Sequence, residues 1–197
     1  MLDAEKIKFY FRIFKGLTIQ DMELFYQNTN QRELAANQIY IHEGSNQKTV
    51  AYIKKGLIRS FSIQENGEEI TNQLLWEDNF IASPDVILFN RTSRFTIQAI
   101  EKTVLLEINY DSLQHIINEN LKYEQVRIHF LHKIIKNSID ELNSFKLLNA
   151  EERYLKFIHD KPDINNRVPN KYIANVLGIT PVSLSRIRKR LAEKNNR

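Results

Sequence analysis

The sequence predicts an α+β chain in three parts: an antiparallel roll of short strands with flanking helices, a long helix, and a C-terminal helix-turn-helix. Three observations carry this. From Glu33 to about Ile108, β-branched and aromatic residues run in groups of four to eight with a turn signal every ten or so. From Tyr110 to about Phe145 the apolar spacing changes to three and four, the period of a helix face. From Val168 to Leu191 two short helical patterns flank a glycine and a Thr-Pro pair. The divisions expected from these changes are 1–109, 110–146 and 147–197.

Ahead of the roll, residues 2–29 show helical spacing at Phe11, Phe14 and Leu17, then at Met22, Leu24 and Phe25, so helices are expected on its outside. Within the roll, Ile39 to Ile41 ends at Glu43-Gly44, and Val50 to Ile53 meets Leu57 to Ile63 across Lys54-Lys55-Gly56. Asn66-Gly67 stands before Ile70 to Trp76. Both residues tolerate positive φ, which predicts a two-residue hairpin turn. Two further strands are expected at Phe95 to Ile100 and Thr103 to Ile108.

In the long helix, Ile128, Leu131, Ile135, Ile139, Leu142 and Phe145 form one apolar stripe, and Phe130 and Ile134 begin a second on another face. One stripe can pack on the roll and leave the other for a partner. Ile128, Phe130, Leu131, Ile134, Ile135 and Ile139 are therefore the candidate contacts of a homodimer.

The last part is specified most closely. Gly178 tolerates the left-handed stop of a first helix, Thr180 offers an N-cap hydroxyl, and Pro181 suits the first position of a second helix. Ile173, Ala174, Leu177, Ile179, Leu184, Ile187 and Leu191 supply a small apolar core, leaving Ser183, Ser185, Arg186, Lys189 and Arg190 outside. Charge points the same way. Residues 167–197 hold eight of the 28 Lys and Arg against one acid, a net +7, whereas the other 166 residues carry −3. A basic end on a mildly acidic body is the footprint of a phosphate-backbone partner, and double-stranded DNA is the partner expected.

Several chemistries are excluded. With no cysteine, disulfides, thiolate zinc sites, cysteine-ligated iron–sulfur clusters and cysteine nucleophiles are impossible. Of five histidines only His42 falls in the roll, too few for a cupin-like metal-dependent enzyme. His129 and His132 stand three apart on the long helix without a carboxylate in register, so no metal or cofactor is expected. There is no apolar run of membrane-spanning length, and a cytoplasmic protein away from membranes is expected. A helix-turn-helix that binds a protein rather than DNA is the other alternative, and salt dependence separates the two.

Gly44, the stretch Tyr52-Ile-Lys-Lys-Gly56-Leu-Ile-Arg59, Ala150-Glu-Glu-Arg-Tyr-Leu155 and the segment Val168 to Leu191 together resemble the Crp/Fnr family of bacterial transcription regulators over nearly the whole chain. The resemblance implies a cyclic-nucleotide-binding-like roll of jelly-roll type, dimerisation through the long helix, and a winged helix-turn-helix that recruits or blocks RNA polymerase. The family's base-contacting positions fall on Pro181, Val182 and Arg186. Only Arg186 can grip a guanine edge with two hydrogen bonds, while Val182 can touch a thymine methyl. Thr180, Ser183, Ser185, Lys189 and Arg190 suit phosphate positioning.

The family's effector site matches poorly. Cyclic-nucleotide binders carry a Gly-Glu-Leu stretch and then an arginine followed by small residues. Here the corresponding stretches are Trp76 to Pro84 and Arg91 to Ala99, with Ser93 at the arginine position and bulky Phe95 in place of a small residue. Strand alternation turns Arg94 to the other face. Cyclic AMP is not expected as a ligand, which leaves Arg91 and Arg94 as the candidates for holding an anionic effector.

Overall fold

The computed structural model describes residues 17–195. Phe11 and Phe14 of the expected outer helices lie outside that range. Helix α1 (Ile19–Gln27) begins at Thr18, whose hydroxyl accepts the Asp21 amide while the Asp21 carboxylate accepts the Thr18 amide. This reciprocal cap satisfies two of the amides that a helix start otherwise leaves unbonded.

Eight strands follow: β1 (Asn30–Leu34), β2 (Ile39–Ile41), β3 (Thr49–Lys55), β4 (Ile58–Ile63), β5 (Glu69–Leu75), β6 (Phe80–Ile81), β7 (Thr96–Ala99) and β8 (Thr103–Asn109). They form two antiparallel four-stranded sheets, β1-β8-β3-β6 and β2-β7-β4-β5. A two-residue side-chain period explains why β3 is apolar on both faces. Ala51 and Ile53 point into the inter-sheet core with Leu34, Ile41, Ile58, Ile97 and Leu105, while Val50 belongs to the cluster on the outer face. That second cluster gathers Val50, Ile108, Ile116, Ile117 and Tyr123 beneath the helices.

The β4–β5 hairpin corrects the expected two-residue turn. Its loop runs from 64 to 68, closed by the Gln64 amide on the Glu68 carbonyl, and Gly67 at φ +81° is its one residue with positive φ. The Asn66 side chain accepts the Glu68 amide rather than placing its own backbone in the left-handed region. A short helix, α2 (Pro84–Phe89), separates β6 from β7 and was not expected from periodicity.

The helical segment after the roll is divided. Helix α3 (Tyr110–Glu119) and a 3-10 turn (Leu121–Tyr123) precede α4 (Glu124–Leu147), a helix of 24 residues. Asn120 makes the break, leaving helical dihedrals while its side chain caps the Lys122 amide. On α4, Phe130 stacks edge-on against Phe80 at 5.9 Å between centroids, so this residue of the second stripe faces the roll. Most of the first stripe stays in solvent: Ile135 is 55% exposed and Ile139 52%, with Ile128, Leu142 and Phe145 also exposed. Leu131 and Ile134 are half-buried.

Beyond α4 come α5 (Ala150–Asp160), α6 (Ile164–Arg167), α7 (Asn170–Val176) and α8 (Pro181–Asn195). No strand follows Asn109 among the described residues, so the wing implied by the family resemblance is not among them. This helical unit packs on the roll through one continuous apolar cluster. Leu57 and Leu74 join Tyr154, Ile164, Val168, Ile173, Leu177, Leu184 and Ile187, with Trp76 and Ile100 at the margin. Around it lies a polar clasp. Arg167 pairs with Glu77 (2.7 Å) and Glu101, and Lys161 also reaches Glu77 (3.4 Å). The Asn175 side chain accepts the Thr71 amide, which β5 as an edge strand would otherwise leave unpaired. Buried Arg59 lies between the Phe61 and Tyr172 rings at 4.0 and 4.2 Å while bonding Gln98 and Glu69.

Candidate nucleic-acid interface

Helices α7 and α8 meet around the four residues Leu177 to Thr180. Gly178 adopts φ +65°, and an added Cβ would come 2.7 Å from Phe145 Cε1, so both backbone and packing demand glycine there. The Thr180 hydroxyl accepts the Ser183 amide at 3.1 Å and Pro181 opens α8, as the Thr-Pro pair predicts. Leu184 and Ile187 anchor the buried side of α8 against Ile173, Ala174 and Leu177.

The expected contact residues lie on the opposite side. Thr180, Val182, Ser185, Arg186, Lys189 and Arg190 are exposed and Ser183 is half-buried. Their chemistry differs in ways that spacing alone does not reveal. The Ser183 hydroxyl lies 3.0 Å from that of Thr180, and the Ser185 hydroxyl donates back to the Pro181 carbonyl. Arg190 is paired with Glu151 of α5. Neither Arg186 nor Lys189 has an ion-pair partner among the described residues, so both can turn to an incoming anion.

Arg188, between them, is a structural cation. Its guanidinium donates to Tyr154 Oη (3.1 Å), Asn165 Oδ1 (2.8 Å) and Asn170 Oδ1 (2.5 Å), tying α8 to α5, α6 and α7. Arg167 and Glu77 serve the clasp. Burial opposes ionisation of Glu77, but the Arg167 guanidinium and the Gly56 amide overcome it and bring the carboxyl down to about 2. Hydrogen bonds to the Glu77 and Glu101 carboxylates in turn raise Arg167 above the ordinary guanidinium range. Sequence reasoning missed this cluster because Glu77 and Arg167 are 90 residues apart.

In the expected effector region the two arginines are not brought together around a cavity. Arg94 is a surface residue whose Nε donates to Asp85 Oδ1 at 2.9 Å, while its amide donates to Oδ2 at 3.2 Å. Asp85 itself is buried, on the first turn of α2. Arg91 is exposed, its amide bonded to the Asp85 carbonyl. Ser93, at the family's arginine position, is buried and donates to the Phe95 carbonyl. No cluster of three or more His, Cys, Asp or Glu suited to a metal occurs among the described residues.

Comparison with known proteins agrees with this architecture. The cyclic nucleotide-binding domain family matches residues 31–120. An "Anaerobic regulatory protein" of Haemophilus influenzae is 26% identical over 169 residues, covering 80% of this chain and 65% of that protein, so the chain spans less than two thirds of that relative's length. Among solved structures, FixK2 from Bradyrhizobium japonicum aligns with a TM-score of 0.72 at 14% identity, over 85% of this chain and 86% of that one. A protein of Eubacterium rectale assigned to the Crp/Fnr family aligns with a TM-score of 0.68 at 18% identity, over 94% of this chain and 88% of that one. Roll, connecting helix and helix-turn-helix are thus laid out here on a fold similar to that of these proteins over most of the chain, and residues 31–120 match the cyclic nucleotide-binding domain family.

Proposed function

We propose that this chain is a dimeric, sequence-specific DNA-binding transcriptional regulator that does not respond to cyclic AMP. The observation that carries the DNA reading is α8 itself: a capped helix, anchored by Leu184 and Ile187, that presents Arg186 and Lys189 without ion-pair partners among the described residues. In a major groove Arg186 reads a guanine through O6 and N7, Val182 meets a thymine methyl, and Thr180, Ser183, Ser185, Lys189 and Arg190 hold the backbone. A second copy joins along α4 through Ile128, Leu131, Ile135 and Ile139, placing two readers on half-sites about one helical turn apart. Phe130 packs on the roll and supports α4 from behind, and half-buried Ile134 stays a candidate contact of the second copy.

The Asp85–Arg94 pair supports the effector reading. A cyclic phosphate seeking Arg94 competes with a carboxylate already bonded to its Nε and its amide. The work of regulation is in the cytoplasm, through contact with RNA polymerase or by blocking it. Among the described residues no helix is long and apolar enough to cross a membrane.

Selection of genomic fragments by the purified full chain tests this. The expected result is a two-fold symmetric motif with a guanine in each half-site. Binding that shows neither sequence preference nor salt dependence points instead to a protein-interaction module.

A further inference from the structure

Arg186, Arg190 and Lys194 follow one another at four-residue steps and so line one side of α8. Only the first is free. Glu151, in the first turn of α5, places Oε1 3.1 Å from Lys194 Nζ and gives Oε2 to Arg190. It is not needed for its own helix start, because Asn149 and Glu152 form the capping box. Its side chain is only 18% exposed, so the carboxylate stands against α8 rather than in open solvent. Ser183, Arg186 and Arg190 form a shallow groove with Asn149, Ala150 and Glu151, on the side of α8 assigned above to DNA. Lys194 and Arg190 hold the Glu151 carboxyl below the ordinary carboxylate range, as a bound anion between two cations requires.

We propose that Glu151 is an internal surrogate for a DNA phosphate: it occupies Arg190 and Lys194 and thereby limits the protein's sequence-independent affinity for DNA. This rests on the DNA-reading proposal. Non-specific binding comes almost entirely from cations replacing condensed counterions on the phosphate backbone. Two cations and one carboxylate offer that backbone a net single charge where the sequence shows two. Because Glu151 acts on the C-terminal two thirds of the cationic stripe, it restrains general adhesion while leaving Arg186 free to test bases.

The experiment is a salt titration of the full chain with a random-sequence duplex, comparing wild type with Glu151→Gln, which keeps the shape and removes the charge. One additional neutralised phosphate per protomer steepens the slope of log affinity against log salt by about 0.9, and tightens binding about eightfold per protomer at 0.1 M salt. An unchanged or weaker affinity in a folded Glu151→Gln protein overturns the proposal. A second comparison separates pairing from net charge. Glu193→Gln removes an exposed acid of α8 that pairs with no cation among the described residues, and it tightens binding less than Glu151→Gln; an equal gain from the two overturns the surrogate. A wild-type protein without salt-dependent duplex binding refutes the DNA reading itself, a result separate from either ordering.

Discussion

Glu77→Gln removes the anion at the centre of the clasp between roll and reader. In the wild-type protein the carboxylate accepts the Gly56 amide at 2.9 Å, two Arg167 nitrogens at 2.7 and 3.0 Å, and Lys161 at 3.4 Å, with its side chain 27% exposed. Its carboxyl is lowered from 4.5 to about 2, and a depressed carboxylate stabilises the fold above its unfolded value and loses that contribution as pH falls toward the folded one. The window is therefore from about 4.5 down to about 2, and the shift corresponds to at most roughly 3 kcal/mol at neutral pH. Arg167 keeps Glu101 and Asp163 in the variant, so a loss of about 2 kcal/mol is expected at pH 7. At pH 3 the wild-type carboxyl retains less than half of its contribution, and the gap between the proteins narrows to about 1 kcal/mol. Trp76, the sole tryptophan, packs on the shared cluster beside this residue, so its fluorescence during urea unfolding measures both gaps. A difference below about 0.5 kcal/mol at pH 7, or one that does not shrink at pH 3, refutes the assignment of Glu77 as an ionic clasp.

Gly178→Ala places a Cβ where φ is +65° and Phe145 stands at 2.7 Å, so it costs about 1–2 kcal/mol and lowers the melting temperature by roughly 3–6 °C, measured by circular dichroism; an unchanged melt means the turn relaxes freely. Replacing Ile135 and Ile139 together by aspartate gives a monomer in sedimentation velocity with little change in melting, since both are exposed within one protomer; a persisting dimer shifts the interface elsewhere. Titration calorimetry with cyclic AMP yields no micromolar or tighter constant, and finding one overturns the reading of the Asp85–Arg94 pair.

Much of this fold is written in local pattern. The doubly apolar run in β3 follows from a strand covered on both faces, and on α4 Phe130 packs on the roll while Ile128, Ile135, Ile139, Leu142 and Phe145 stay exposed. The turn before α8 carries its own instructions in Gly178, Thr180 and Pro181. Other elements are stabilised by what lies across from them. The β1 sequence Asn-Gln-Arg-Glu-Leu has little strand character of its own and is held by pairing along β8 from Asn30–Glu107 to Leu34–Thr103. Two-residue β6 exists because Phe80 and Ile81 pair with β3. Ser83-Pro84 does carry the mark of a helix start, a capping residue before a proline, and α2 could have been read from it.

Charge shows most clearly where composition stops being informative. A net +7 over residues 167–197 reads as a single basic patch. Folding divides it by function. Arg167 and Lys171 go to acids of the roll, Glu77, Glu101 and Glu68, so part of the negative body and part of the positive end neutralise one another across the domain contact. Arg188 is consumed by neutral oxygens within the reader, and Arg190 and Lys194 by Glu151. What remains without an ion-pair partner among the described residues is Arg186 and Lys189, three residues apart and one turn into an exposed helix. A run of basic residues therefore sets an upper bound on phosphate contacts, and the acids that fold against it decide how many are left for DNA.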